Sequence, residues 1–539
     1  MQRRPLLAAL AALPSLVRAE PVRRPGADLA RLQAHLRFLA DPLLEGREAG
    51  TRGYDLAAAY VASQFAQWGL QPMGDAGSFA QAVPLKTAKL AATAPMLEIC
   101  RDGRCERLAW LDEFSTSPDL SLARRDVSAP LVFAGYGIHA PSFGLDDYAG
   151  LDVKGRIAVV LAGRPPQIPS EEGAHFGNAR TKRELAVRHG AIGVITLSTP
   201  RSEIVSPFHN NRRFVDNVSM DWQAPDGRGG SDIPGLQASA LISVQAAPKL
   251  LAALNRPYTQ LVADAEAGRT LPRGDLGLSA HLVRDSVHGQ ARSHNVVGFI
   301  EGRHPQLKDE VIVLTAHLDH MGRKGDTVFP GAMDNAMGIA MLLEVARLHA
   351  QSPVPLERSV LFVAVTGEEK GFLGSAWFVR HPPVPAASLV ANVNIDMPIL
   401  LHDFKAVVAL GAEHSSLGAA AERAAHSLGL QLAPDPAPEQ SRFTRSDQYS
   451  FVRQGIPAVI LGADGASFDE KEDGNALMRE FRRLRYHQPG DDLSQPFHWR
   501  AVQRFAQLQW ALLQQLGVQP ERPRWLPGSF FGEQFGPRR

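Results

Sequence analysis

The chain has 539 residues, more than one compact domain holds, so two or three domains are expected. Its 57 basic and 56 acidic side chains nearly cancel, to a formal net charge of +1. With no basic stripe interleaved with aromatics, that balance excludes a nucleic-acid surface. The 45% hydrophobic content is that of an ordinary globular protein.

At the N-terminus, Arg3-Arg4 precede an apolar run, Leu6–Val17, and Val17-Arg-Ala19 offers small residues for cleavage. Residues 1–19 therefore read as an export signal, too short to span a bilayer, which predicts a periplasmic or secreted protein. The rival reading is an uncleaved anchor, and the twin arginines leave a Tat route open beside Sec. No later segment is long and apolar enough for a membrane helix. Leu29–Leu39 and Tyr54–Leu70 have the apolar spacing of helices, and Gly46-Arg-Glu-Ala-Gly-Thr51 joins them as a loop. Cys100 and Cys105, the only cysteines, flank an Asp-Gly turn and should pair across a hairpin in an oxidising compartment.

From about residue 127 to 275 the texture changes. Leu131–Tyr136, Ile157–Leu161 and Val194–Leu197 read as strands and Thr181–His189 as a helix. Pro200–Gly235 is rich in Asn, Asp, Gly and Arg, which predicts a long surface loop. Leu278–Val283 and Asn295–Ile300 then resume the first domain's sheet. Four further strands are expected at Val311–Ala316, Ser359–Val365, Leu389–Ile395 and Ala458–Leu461, with helices at Ile339–His349 and Ala501–Leu516. The Pro-, Gly- and Arg-rich tail from Gln519 is expected to be loosely ordered.

The strand ends carry the chemistry. His317 and Asp319 follow the first of the four apolar strands, at the edge where open α/β sheets place their ligands. An imidazole with a carboxylate two residues on suits a metal ligand and the partner that orients it. His320 reads as outer support or solvent-facing. Asp334 stands at the start of the next helix, where a carboxylate is either a cap or, beside His317, a bridge between metals. The second strand runs into Glu368-Glu369, adjacent acids that point in different directions. One can bind metal while the other faces water, and Gly367 and Gly371 permit close backbone approach. Asp396 ends the third strand, and Tyr486-His487 lies in a turn-rich loop that adds a last imidazole. Such a set can hold two divalent ions and leave one carboxylate free, the makings of a hydrolytic centre.

Taken together, Ala316-His-Leu-Asp-His-Met-Gly322, Gly331-Ala-Met-Asp-Asn335, Gly367-Glu-Glu-Lys-Gly-Phe-Leu-Gly-Ser375, Asn394-Ile-Asp396, Arg445-Ser-Asp-Gln-Tyr-Ser-Phe451 and Tyr486-His487 resemble the M28 family of zinc exopeptidases. The resemblance implies a peptide-cleaving enzyme with two zinc ions per chain. His317 and Asp396 would hold one ion, Glu369 and His487 the other, with Asp334 bridging. Asp319 would orient His317, Glu368 would act as general base, Tyr486 would support the oxyanion and Arg445 would contact substrate. Many relatives have His where this chain has Gln448, a position that is not a ligand.

The implied fold is α/β, a mixed, mostly parallel central sheet flanked by helices, with an inserted, mostly-β protease-associated (PA) domain. The expected division is residues 20–126 and 276–518 for the peptidase, 127–275 for the insertion and 519–539 for a tail. Peptides or short proteins are the expected substrates. An aminopeptidase is preferred to a carboxypeptidase, a glutaminyl cyclase-like transferase or a non-catalytic PA-domain binding protein. Cobalt or manganese could occupy the same ligands.

Overall fold

In a computed structural model of the protein, residues 26–254 and 256–537 are described. The export-signal reading of residues 1–19 lies outside them. Among the described residues no helix is long and apolar enough to cross a membrane.

Two sheets share one long strand. The first sheet is mixed, and its centre is four parallel strands in the spatial order Ser359–Val365, Val311–His317, Leu389–Asn394 and Ala458–Ala463. The first three are buried along their whole length. Only a strand covered on both faces tolerates an unbroken apolar run in place of alternation. Antiparallel strands complete the sheet: Gly274–Ile300, Ala80–Leu90 and Ser219–Trp222 on one flank, Ala406–Leu410 on the other. The helices Leu29–Leu39, Arg52–Gln67, Met337–Ala350 and Trp499–Val518 pack over one face in a single apolar core. Met337–Ala350 is buried on all sides through His349, which explains why its sequence is apolar all round.

The second sheet runs in the order Phe114–Ser115, Ala238–Ile242, Gly193–Leu197, Ile157–Leu161, Arg124–Phe133, the first half of Gly274–Ile300, Met96–Arg101 and Arg104–Arg107. It has its own core, covered in part by the helices Ala179–Arg188 and Tyr258–Glu266. Cys100 and Cys105 are joined by a disulfide across the hairpin of its last two strands. Asp102 and Gly103 between them both take positive φ, 49° and 76°, as a two-residue hairpin turn requires.

Four expectations are corrected. The second sheet begins near Met96 rather than at residue 127, because the disulfide hairpin pairs with Ser279–Val283 and not with the first sheet. Leu278–Val283 therefore belongs to the second sheet; it is the front half of a 27-residue strand whose back half, from Ser286, joins the first. Pro200–Gly235 is not a bare loop, since it holds the helix Pro200–Val205 and the strand Ser219–Trp222, which pairs back onto Ala80–Leu90. The tail is ordered: the helix Phe530–Phe535 buries Phe531 against His414 and Phe443, and Trp525 donates its indole N–H to the Gly455 carbonyl. Its scattered aromatics, not its proline and arginine content, decide the outcome.

The two lobes dock through side chains beside the tail. Arg453 pairs with Glu184 at 2.8 Å, and the His175 ring meets the Tyr449 hydroxyl amid phenylalanines. Truncating Phe531 to Ala should cost about 3–5 kcal/mol in urea unfolding, whereas a loose tail would register no change. A second expectation concerns acid. Burial pushes the imidazoles of His175 and His349 down to about 3. The unfolded chain protonates these rings as pH falls through about 6.5 while the folded protein does not. Stability should therefore fall from about pH 6.5 toward pH 3, and His349→Leu should flatten the dependence of the urea midpoint on pH.

Candidate metal centre

His317 is the last residue of its strand and only 1% exposed. Its Nδ1 lies 3.1 Å from the Asp319 carbonyl, which can accept that N–H and leave Nε2, aimed into the cleft, as the nitrogen that would ligate a metal. The Asp319 carboxylate does something else: it accepts the backbone N–H groups of Glu368 and Glu369 at 3.1 and 3.2 Å. The ring partner is thus the main chain of Asp319 rather than its side chain, and the carboxylate ties the first strand end to the second.

Asp334 joins the two halves of the site. Its Oδ1 is 3.3 Å from His317 Nε2, and its Oδ2 is 3.3 Å from His487 Nε2. Asp396 Oδ1 completes the first group, 3.1 Å from His317 Nε2, and Glu369 Oε2 the second, 3.1 Å from His487 Nε2. Asp334 caps no helix: Met337–Ala350 has no side-chain cap, and the Asp334 carboxylate faces the histidines. Instead Asp491 accepts the backbone N–H groups of Met333 and Asp334 at 2.9 and 3.0 Å and holds the loop from behind. Asn335 reaches across to the third strand end, donating to the Ile395 carbonyl and accepting from Met397 N–H.

His320 is wholly buried, not solvent-facing. Its Nδ1 is 2.7 Å from Glu369 Oε1, while its distance to Asp334 Oδ2 is 3.9 Å. His320, Asp334 and Glu369 thus form a second donor triad beside that of His487. The geometry separates the two rings. His320 engages the Glu369 oxygen turned away from His487 and so backs the carboxylate, while His487 shares the inner edge with Asp334.

The electrostatics call for cations. Burial works against charge on His317, yet Asp396, Glu368 and Asp334 hold its ring well above its ordinary value. Glu369 and Asp334 do the same for His487 against its own burial. Burial opposes ionisation of Asp334 too, but His317, His487 and His320 keep its carboxyl well below the usual range. Glu368 is the exception. Burial, with Asp396, Glu369 and Asp447 nearby, pushes its carboxyl well above the usual range. The donors fit zinc, which takes histidine nitrogen and carboxylate oxygen. Nitrogen–oxygen separations of 3.1–3.3 Å in each group match the ~3.3 Å between neighbouring ligands on a tetrahedron with bonds of ~2.0–2.1 Å.

Tyr486 stacks on the His487 ring, centroids 3.8 Å apart, and its hydroxyl lies 3.5 Å from Arg445 Nη2. Gln448 is buried, accepting from Asn394 and donating to the Phe443 carbonyl, far from any ligand role. Three contributors were missed in the sequence. Asp447 is fully buried behind the first group and pushed up to about 7 by burial. Asp491 and Arg47 were the others. All three lie within stretches singled out in the sequence, Arg47 in the Gly46–Thr51 loop expected near the site, and polar identity alone carried no sign of burial.

Residues 295–513, which contain both donor groups, Glu368, Arg445 and Tyr486, match the family model "Peptidase family M28". The chain is 34% identical over 106 residues to an aminopeptidase of Bacillus subtilis strain 168, a stretch covering 20% of this chain and 22% of that protein. It is 26% identical over 263 residues to a "probable leucine aminopeptidase 2" of Aspergillus oryzae, covering 45% of this chain and 49% of that one. The matched stretches thus span less than half of these curated relatives. The solved structure of an aminopeptidase from Aneurinibacillus sp. strain AM-1 superposes with a TM-score of 0.52 at 19% identity, over 92% of this chain and 95% of its own, which establishes the shared fold.

Zinc at 100 times its dissociation constant should stabilise the protein by about 2.7 kcal/mol, read as a raised thermal midpoint, and Asp334→Ala should abolish the rise. A wild-type midpoint indifferent to zinc would sink the metal centre.

Proposed function

We propose that the protein is an exported two-zinc exopeptidase that removes residues from the N-terminus of peptides. The observation that carries this reading is the division of Asp334, whose two oxygens face two separate imidazole–carboxylate groups while Glu368 binds to neither. His317 and Asp396 would hold one zinc, Glu369 and His487 the other, with Asp334 between. A donor set with two sides supports a dinuclear hydrolase over a one-zinc cyclase. The intact ligands and free Glu368 likewise favour an enzyme over a non-catalytic binding protein.

Bound zinc would supply Lewis acidity, polarising the scissile carbonyl and making water acidic enough to attack near neutral pH. The chain's own residues do the rest. Glu368 accepts the proton of the attacking water and passes it to the leaving amine. The Tyr486 hydroxyl donates to the oxyanion as it forms, a contact whose loss typically costs about 10²–10³ in rate. Arg445, beside that hydroxyl, is placed for a carbonyl or carboxylate of the substrate. The second lobe restricts access: its Arg213 donates to Gln488, next to His487, and Lys324 of the first lobe lies over its Phe214.

Glu368→Gln should keep its zinc by elemental analysis and lose turnover; retention of most activity would remove Glu368 as the base. Peptides blocked at one end or the other decide the direction of cleavage. Release only when the amino terminus is free supports an aminopeptidase, and release only when the carboxyl terminus is free makes the protein a carboxypeptidase.

A further inference from the structure

The loop between the first two helices holds an arginine that the proposed reaction does not use. Arg47 is 1% exposed and donates to main-chain carbonyls alone. Its Nε reaches Leu318 O at 2.9 Å, Nη1 reaches Pro330 O at 2.7 Å and also Leu39 O, and Nη2 reaches Gly331 O at 3.1 Å. Leu318 lies between His317 and Asp319, and Gly331 opens the loop that carries Asp334. One rigid, planar fork therefore spans the two loops that bear the first histidine and the bridging carboxylate.

The backbone reinforces the contact. Arg47 itself takes φ 53°, and Gly46 before it takes φ 71°. His320 N–H donates to the Arg47 carbonyl and Gly322 N–H to that of Gly46, at 3.2 and 3.1 Å. A Cβ on Gly46 would lie 2.3 Å from the Gly322 carbonyl oxygen, so the turn is pressed directly onto the loop after His317.

A guanidinium taken out of water ordinarily needs a carboxylate partner. Among the described residues Arg47 forms no ion pair. Burial brings its pKa down to about 10, while Asp491, Asp319, Asp334 and Glu369 pull it back up. Its countercharge is therefore the whole acidic rim of the metal centre, felt from behind and untouched. A lysine could neither span the loops nor be relied upon to stay charged there.

We propose that Arg47 is a positioning residue for the metal centre: it fixes the spacing between the His317 and Asp334 loops and screens their carboxylates from one another, and so sets the affinity for divalent metal. This rests on the two-zinc reading above. By reciprocity, metal binding must in turn steady the Arg47 turn.

The test uses the full chain, with zinc alone as the probe. Arg47→Lys should weaken zinc, measured by competition with a chromophoric chelator, by about 10–100-fold, the usual effect of removing a contact just behind the ligands. It should also shrink the zinc-induced rise in thermal midpoint. Arg358→Lys is the control. Arg358 is equally buried and also bonds carbonyls, Leu516 and Glu521 among them, but it stands at the opposite end of the strand that leads to Glu368. Its loss should lower the midpoint with and without zinc alike and leave zinc affinity unchanged. If Arg47→Lys behaves like Arg358→Lys, the role is merely structural and the proposal falls. Hydrogen exchange in the wild-type protein gives a reading that no variant can spoil by misfolding. Zinc should slow exchange at His320 and Gly322 N–H, which rest on the Arg47 turn, and unchanged exchange there overturns the proposal. Should the wild type itself bind no zinc, the metal centre fails first, an outcome distinct from normal binding that ignores Arg47.

Discussion

Carboxylates gathered at the ends of neighbouring strands repel one another, and much of this half of the molecule serves to hold them there. Asp334, Glu369 and Asp396 converge on two imidazoles, with Asp319 and Glu368 close behind. None of the chain segments that carry them could keep that spacing alone. The main chain around Asp334 is held by Asp491, the backbone after Thr366 by Asp319, and the third strand end by Asn335. The stiff parallel strands beneath allow such restraints to act over short distances. The surrounding histidines hold Asp334 ionised against its burial.

The central sheet was legible because its strands are buried on both faces, which writes unbroken apolar runs into the sequence. Three of the candidate donors, His317, Glu369 and Asp396, were legible for a related reason: each stands at or just past the end of such a run, where an acid or imidazole has no packing role to play. What stayed hidden were groups whose identity says nothing of their setting. The Gly46–Thr51 stretch reads as a structural loop, and nothing in it says that the Arg47 guanidinium is buried among carbonyls. His320 could be read as outer support or as solvent-facing, and only its place beneath Glu369 decides for support. Asp447 is an ordinary acid in sequence and a wholly buried one in the fold.

The second lobe was misjudged at its edges for another reason. Where the strand passes from one sheet to the other it is exposed at Val287–Gln290, so Gly274–Ile300 reads as two short strands with polar residues between. Its early partner Met96–Arg101 then falls on the wrong side of a boundary drawn at residue 127, which also cuts through Arg124–Phe133. The tail illustrates the opposite error. Proline and arginine suggest disorder, but a few aromatics spaced to meet a neighbouring cluster outweigh them.

That continuous strand has a mechanical consequence. An extended strand advances ~3.3 Å per residue, so 27 residues form a beam of roughly 90 Å, bonded to partners along most of its length in both sheets. Lobes joined by a pliant linker swing apart at little cost. Lobes threaded on one beam can part only by bending it and breaking the ladders on either side. The contact between Arg213 and Gln488, residues of different lobes, is therefore set during folding rather than by a hinge.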